Sequence, residues 1–127
     1  MLFFLTPTIL IDLIAHVESN DLADKVPLKS IFIAGSPIML ISKAHKALPN
    51  LEEIRIGYGS SENGVVATLQ SSTEPEESKP HTFGFPLDFT EVRIVDTTTG
   101  DTTSIGETGE IQTRGFNTMV GYITMTP

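Results

Sequence analysis

"SIFIAGSPIMLISKAHKALPNLEEIRIGY", Ser30 to Tyr58, sets two isoleucine-rich runs on either side of a helical stretch. The first run, "SIFIAG", reads as a strand that Gly35 and Pro37 turn away from the sheet. A helix is predicted over Leu40–Leu48, with Leu40, Ala44, Ala47 and Leu48 inward and Lys43 and Lys46 outward; "PN" closes it. A second strand follows at Ile54–Tyr58, where apolar residues alternate with Arg55. Strand, helix, strand at this spacing implies parallel strands joined by a helical crossover, because two parallel strands cannot be linked by a tight turn. The fold class is therefore α/β.

Working upstream, "MLFFLTPTILIDLIAHV" lacks the basic start and small-residue cleavage site of a signal peptide, and Pro7 and Asp12 interrupt it too soon for a bilayer span. No transmembrane segment is expected. Thr6 suits an N-cap and Pro7 the first helical position, with Ile9, Leu10, Leu13, Ile14 and Val17 forming the inward face. On this reading the first element begins almost at Met1, which suggests that chain is missing upstream. "SNDLADKVPLK" then connects to the strand at Ser30. Downstream, "QSSTEPEESKP", residues 70–80, reads as an exposed polar loop and a subdomain boundary. "EVRIVD", the "TTTGD" turn and "GEIQTRG" give the rest a β-rich texture. The expected architecture is a partial parallel-sheet layer with helical crossovers over residues 1–80, then a partial β-rich subdomain over 81–127.

With 127 residues, 39% of them hydrophobic, the chain has enough apolar material for the core of one domain. Sixteen acidic against eight basic residues give a net charge of -8, and without a basic patch no nucleic-acid partner is expected. The absence of cysteine excludes a disulfide framework and thiolate metal sites.

Chemistry concentrates at the strand ends. In "GYGSSE", Gly57–Glu62, glycines would let a ligand approach backbone N–H groups, and Tyr58 can face a flat base. Ser60 or Ser61 can donate to a phosphate oxygen, and Glu62 can hold a magnesium ion bridging phosphates. The same residues serve equally well as a tyrosine covering a strand end and serines capping the next segment. "AGSP", Ala34–Pro37, repeats the device at a neighbouring strand end, where open α/β sheets collect ligands, although two ordinary strand-to-helix turns would look alike. His16, His45 and His81 lack metal-ligand spacing, and Glu74, Glu76 and Glu77 read as a solvated acidic segment. There is no phosphate loop of the G-x-x-x-x-G-K-[ST] type, no G-x-S-x-G elbow and no cysteine nucleophile.

Taken together, the motifs resemble those of the adenylate-forming enzymes, in their acyl-CoA synthetase branch. "GYGSSE" is similar to that family's Y-G-x-[ST]-E, and "GETGEIQTRGFNTMVGYI", Gly106–Ile123, to its G-E-x-G-E-[IL]-x-x-[RK]-G-x-x-x-M-x-G-Y signature. "LTPTIL", "AGSP" and "TFGFPLDFTEVRIVDTTTGD" resemble three further family segments, all in the family's order. The resemblance implies that Tyr58 packs on adenine and that Gly35, Ser36, Gly57 and Gly59 belong to the nucleotide and acyl pocket. Ser61 would contact phosphate and Glu62 support magnesium, the two being the implied catalytic residues, with Asn63–Val66 beside the acyl group. The implied reaction joins a carboxylic acid, in particular a fatty acid, to ATP as acyl-AMP with release of pyrophosphate, and then to coenzyme A as a thioester. It also implies an intracellular setting, in cytoplasm, mitochondrion or peroxisome.

The chain departs from that pattern in what it does not contain. The family's lysine-bearing phosphate loop would lie before "LTPTIL", and its ribose-binding aspartate, hinge and small terminal domain with the adenylation lysine would lie after "GYITMTP". Ser61 keeps the hydroxyl of the family threonine, and Phe85 stands where a basic residue is common. A central fragment of a ligase, inactive alone, is thus expected. The competing expectation is a truncated, non-catalytic nucleotide- or protein-binding module.

Overall fold

The computed structural model describes residues 1–34, 40–75 and 77–123. Its first unit is β1 (Leu2–Leu5), α1 (Pro7–Ser19), β2 (Ser30–Ile33), α2 (Ile41–Ala47) and β3 (Glu53–Tyr58). All three strands run parallel, with Phe4 opposite Phe32 and Phe32 opposite Arg55. The α/β layout with helical crossovers is as expected, but α1 is not the first element. "LFFL" forms β1, whose Phe4 ring lies 4.8 Å from that of Phe32 across the ladder. A run of four apolar residues has no periodicity to distinguish it from a helix start, so only the pairing partner reveals the strand.

Helix α1 begins as its sequence dictates: Thr6 Oγ1 accepts the Ile9 N–H at 3.4 Å and Pro7 occupies the first turn. At the other end the Asn20 side chain donates to the His16 carbonyl at 2.8 Å. Leu10, Ile14 and Val17 are buried, but Ile9 is 50% exposed and Leu13 only half-buried, so the inward face is narrower than predicted. Ile9 lies about 100° around the helix from Leu10, off the stripe that meets the sheet. Helix α2 buries Ile41, Ala44 and Ala47, with Leu48 just beyond it, and leaves Lys43 and Lys46 exposed. These residues close over Ile31, Ile33, Ile54 and Ile56, which alternate along β2 and β3 toward the helices.

Strands β4 (Thr68–Leu69) and β5 (Phe85–Pro86) extend the sheet antiparallel beyond β3, giving the order β1-β2-β3-β4-β5. The remaining strands, β6 (Thr90–Val95) and β7 (Glu110–Gly115), form a separate antiparallel ribbon. Between them Asp96 accepts the N–H groups of Thr98 and Thr99 at 2.7 and 3.0 Å, and the bond from Thr99 followed by that from Thr98 holds its carboxyl below the usual range. The segment 70–80 is not uniformly exposed as expected, for Gln70 and Lys79 are both buried. The sheet face away from the helices carries Leu2, Phe4 and Phe85, all more than half exposed. Among the described residues no helix is long and apolar enough to cross a membrane.

Candidate functional site

Tyr58 closes β3 at its carboxyl end, where α/β sheets present ligand sites. Its ring is half-buried and meets Phe83 edge-on, at 6.0 Å between centroids and 65° between planes. Just before it, Gly57 is buried beneath Phe32: a Cβ there would come within 2.8 Å of the Phe32 ring and 3.0 Å of the Thr68 carbonyl oxygen. Gly59 is more tightly constrained, since its Cβ would stand 2.0 Å from the Val65 carbonyl oxygen. That close approach lets the chain double back, with Val65 N–H donating to the Ser60 carbonyl at 2.7 Å and Ala67 N–H to that of Tyr58 at 2.7 Å.

The turn so formed is over-determined. Ser60 caps a short 3-10 turn, Ser61–Asn63, by a reciprocal box: its side chain accepts the Asn63 N–H, and Asn63 Oδ1 accepts the Ser60 N–H at 2.6 Å. Ser60 therefore takes the capping role foreseen for one of the serines, and Ser61 is the hydroxyl left on the exposed side of the turn. Gly64 and Val65 both have positive φ, 74° and 79°. For β-branched Val65 this is a strained backbone, worth about 1–3 kcal/mol, of the kind that persists where surrounding bonds hold it.

The carboxyl-terminal segment folds onto this turn. Asn117 Nδ2 donates to the Asn63 carbonyl at 2.8 Å and to that of Val66 at 3.4 Å, and Met119 N–H donates to the Glu62 carbonyl at 2.8 Å. The Tyr122 hydroxyl donates to Glu62 Oε1. That bond, then one from the Ser60 side chain, lowers the Glu62 carboxyl from its ordinary value, while the carboxylate pushes the Tyr122 phenol up. With the folded Glu62 value below the unfolded one, the contact adds stability above the ordinary glutamate range and loses it as pH falls through the lowered value. The raised phenol stabilises below the ordinary tyrosine range and ceases to do so as pH rises through the folded value. Tyr122→Phe is therefore expected to return the Glu62 titration toward higher pH, read by carboxyl carbon NMR; an unmoved Glu62 midpoint would contradict the bond.

Ser61, Glu62, Gly57, Tyr58 and Gly59 thus share one strand end and turn, whereas Gly35 and Ser36 lie outside the described residues. Asn117, Tyr122 and Phe83 received no role from the sequence. No periodicity links residues more than fifty positions apart, although the signature holding Asn117 and Tyr122 marked their segment.

The sequence matches the family described as AMP-binding enzyme over residues 1–123. The chain belongs to that family. Among the relatives of this AMP-binding enzyme chain, the medium-chain acyl-CoA ligase ACSF2, mitochondrial, of Bos taurus is 32% identical over 119 residues, which cover 92% of this chain and 19% of that protein. The Danio rerio protein of the same name is 34% identical over 121 residues, covering 92% and 19%. The chain spans about one fifth of the length of the curated relatives it matches. The crystal structure of a long-chain-fatty-acid-CoA ligase, FadD1, from Archaeoglobus fulgidus superposes with a TM-score of 0.83 at 23% identity, over 98% of this chain and 26% of that one. At that identity the match establishes the fold, a mixed α/β layer found in the large domain of adenylate-forming enzymes.

Among the described residues of the AMP-binding enzyme chain, no three His, Asp or Glu side chains converge as a metal cluster. Glu62 can offer one carboxylate, a donor set that fits magnesium, which keeps several waters and takes most other ligands from substrate phosphates.

Proposed function

We propose that this chain supplies the adenine shelf and the phosphate-side turn of an acyl-CoA synthetase. Such an enzyme forms a bond from a carboxylate oxygen of a fatty acid to the α-phosphorus of ATP and breaks the bond to pyrophosphate. The thiol of coenzyme A then attacks the acyl carbonyl and AMP leaves. The observation that carries the reading is the single turn joining Tyr58 to Glu62 at the end of a parallel strand, latched by Asn117, Met119 and Tyr122. Tyr58 would lie against the base, Ser61 would donate to a phosphate oxygen, and Glu62 would hold magnesium. Magnesium would supply charge stabilisation at the phosphates. The chain's own part is to fix the donors in place before the nucleotide arrives, so that little reorganisation accompanies charge development.

Because the chain spans about a fifth of its relatives' length, we infer that these residues bind nucleotide without completing the reaction. Calorimetry with AMP is expected to show binding that weakens about tenfold or more in Tyr58→Ala, the usual worth of a base stacked on an aromatic ring. An affinity indifferent to Tyr58 would overturn the shelf. Pyrophosphate release from ATP and a fatty acid is expected to be nil, and measurable turnover would overturn the inferred incompetence. A non-catalytic binding module is the second reading, favoured by the apolar sheet face at Leu2, Phe4 and Phe85, each more than half exposed among the described residues.

A further inference from the structure

Gln70 opens the polar run 70–80, yet it is 1% exposed. Its main chain continues past β4 and donates to the Ile56 carbonyl at 3.0 Å. Its side chain completes the same residue, for Oε1 accepts the Ile56 N–H at 2.9 Å. The amide nitrogen donates at 2.6 Å to the Lys79 carbonyl and at 2.7 Å to the Thr82 carbonyl. Two donors on one side and one acceptor on the other fix the amide's orientation, and among side chains of this length only a glutamine offers both. A glutamate has no donor to give, and an apolar side chain would remove all three of these side-chain hydrogen bonds.

What Gln70 grips is β3 two residues before Tyr58 and the segment that leads into Phe83. Thr68 adds a second hold, its hydroxyl donating to the Phe83 carbonyl at 2.7 Å. Phe83 is in turn the ring that meets Tyr58 edge-on. The path from Gln70 to Tyr58 therefore runs through two hydrogen-bonded carbonyls and one aromatic contact.

We propose that Gln70 is a positioning residue for the adenine shelf, holding Phe83 against Tyr58 so that the tyrosine ring is set before a base arrives. The proposal rests on the reading of Tyr58 as the base-facing ring. A ring already ordered loses less side-chain freedom on binding, and that saving appears as affinity.

The test compares the whole chain with Gln70→Leu, Thr68→Val and Phe83→Leu, alone and with Gln70→Leu and Phe83→Leu combined. Two readouts are taken, the NMR shifts of the Tyr58 ring protons, which feel the Phe83 ring, and AMP affinity. Gln70→Leu is expected to move the Tyr58 signals toward those of Phe83→Leu and to weaken AMP about two- to tenfold, the worth of one aromatic contact. In the Phe83→Leu background the same substitution is expected to add no further loss. Should Gln70→Leu fail to fold, Thr68→Val, which removes one hydroxyl and keeps the shape, carries the ring-shift comparison, with a smaller displacement in the same direction. Tyr58 signals identical to wild type in a folded Gln70→Leu and in Thr68→Val would overturn the proposal, as would a full Gln70 penalty persisting without Phe83. A wild-type chain that does not bind AMP overturns instead the base-facing reading of Tyr58, and the ring shifts still decide whether Gln70 sets that ring.

Discussion

Gly59→Ala is expected to abolish nucleotide binding and to destabilise the chain by about 3 kcal/mol or more, at the upper end of overpacking costs. The added methyl would meet the Val65 carbonyl oxygen at 2.0 Å, and that oxygen belongs to backbone rather than to a side chain that can swing aside. Relief requires the 59–66 turn to open. Opening it breaks the Val65 to Ser60 bond and releases the strained left-handed Val65, so Ser61 and Glu62 lose their common frame. Urea unfolding reads the first effect, and amide shifts of Ser60–Val66 read the second. Wild-type stability together with unmoved amide shifts would show that the turn does not close as described.

Local chemistry made some of this legible. Thr6 and Pro7 announced α1 because capping is decided within four residues, and Ile54–Tyr58 announced β3 because alternation is a property of the strand alone. The glycines of "GYGSSE" read as room for a ligand beside backbone N–H groups, whereas at Gly59 the structure shows the chain's own Val65 backbone in close approach. β1 escaped because "LFFL" has no pattern of its own and becomes a strand only beside β2. Gln70 escaped for a related reason: its polarity fits a loop, and its burial follows from the Ile56 N–H that the ladder leaves for it. The Glu62 to Tyr122 contact joins residues sixty positions apart, a distance at which only the fold can bring side chains together.

Ile54→Ala tests the core on which the site stands, and Ile9→Ala is its control. Both replace isoleucine, but Ile54 is 0% exposed within the cluster that joins β2 and β3 to α1 and α2, whereas Ile9 is half exposed. Removing three buried carbons at Ile54 is expected to cost about 2–5 kcal/mol, from lost transfer energy and the cavity left behind. That is a large share of the roughly 5–15 kcal/mol that holds a domain together. Native-state hydrogen exchange at low protein concentration reads it directly, since protection of the β2 and β3 amides is expected to fall about thirtyfold or more. Ile9→Ala is expected to stay within about 0.5 kcal/mol of wild type, because surface positions tolerate change and alanine is the better helix former. Equal losses at the two positions would restore the broad helix face that the sequence suggested. Unequal ones place the weight on the line from Leu10, Ile14 and Val17 through Ile54, and so on the strand whose far end presents Tyr58.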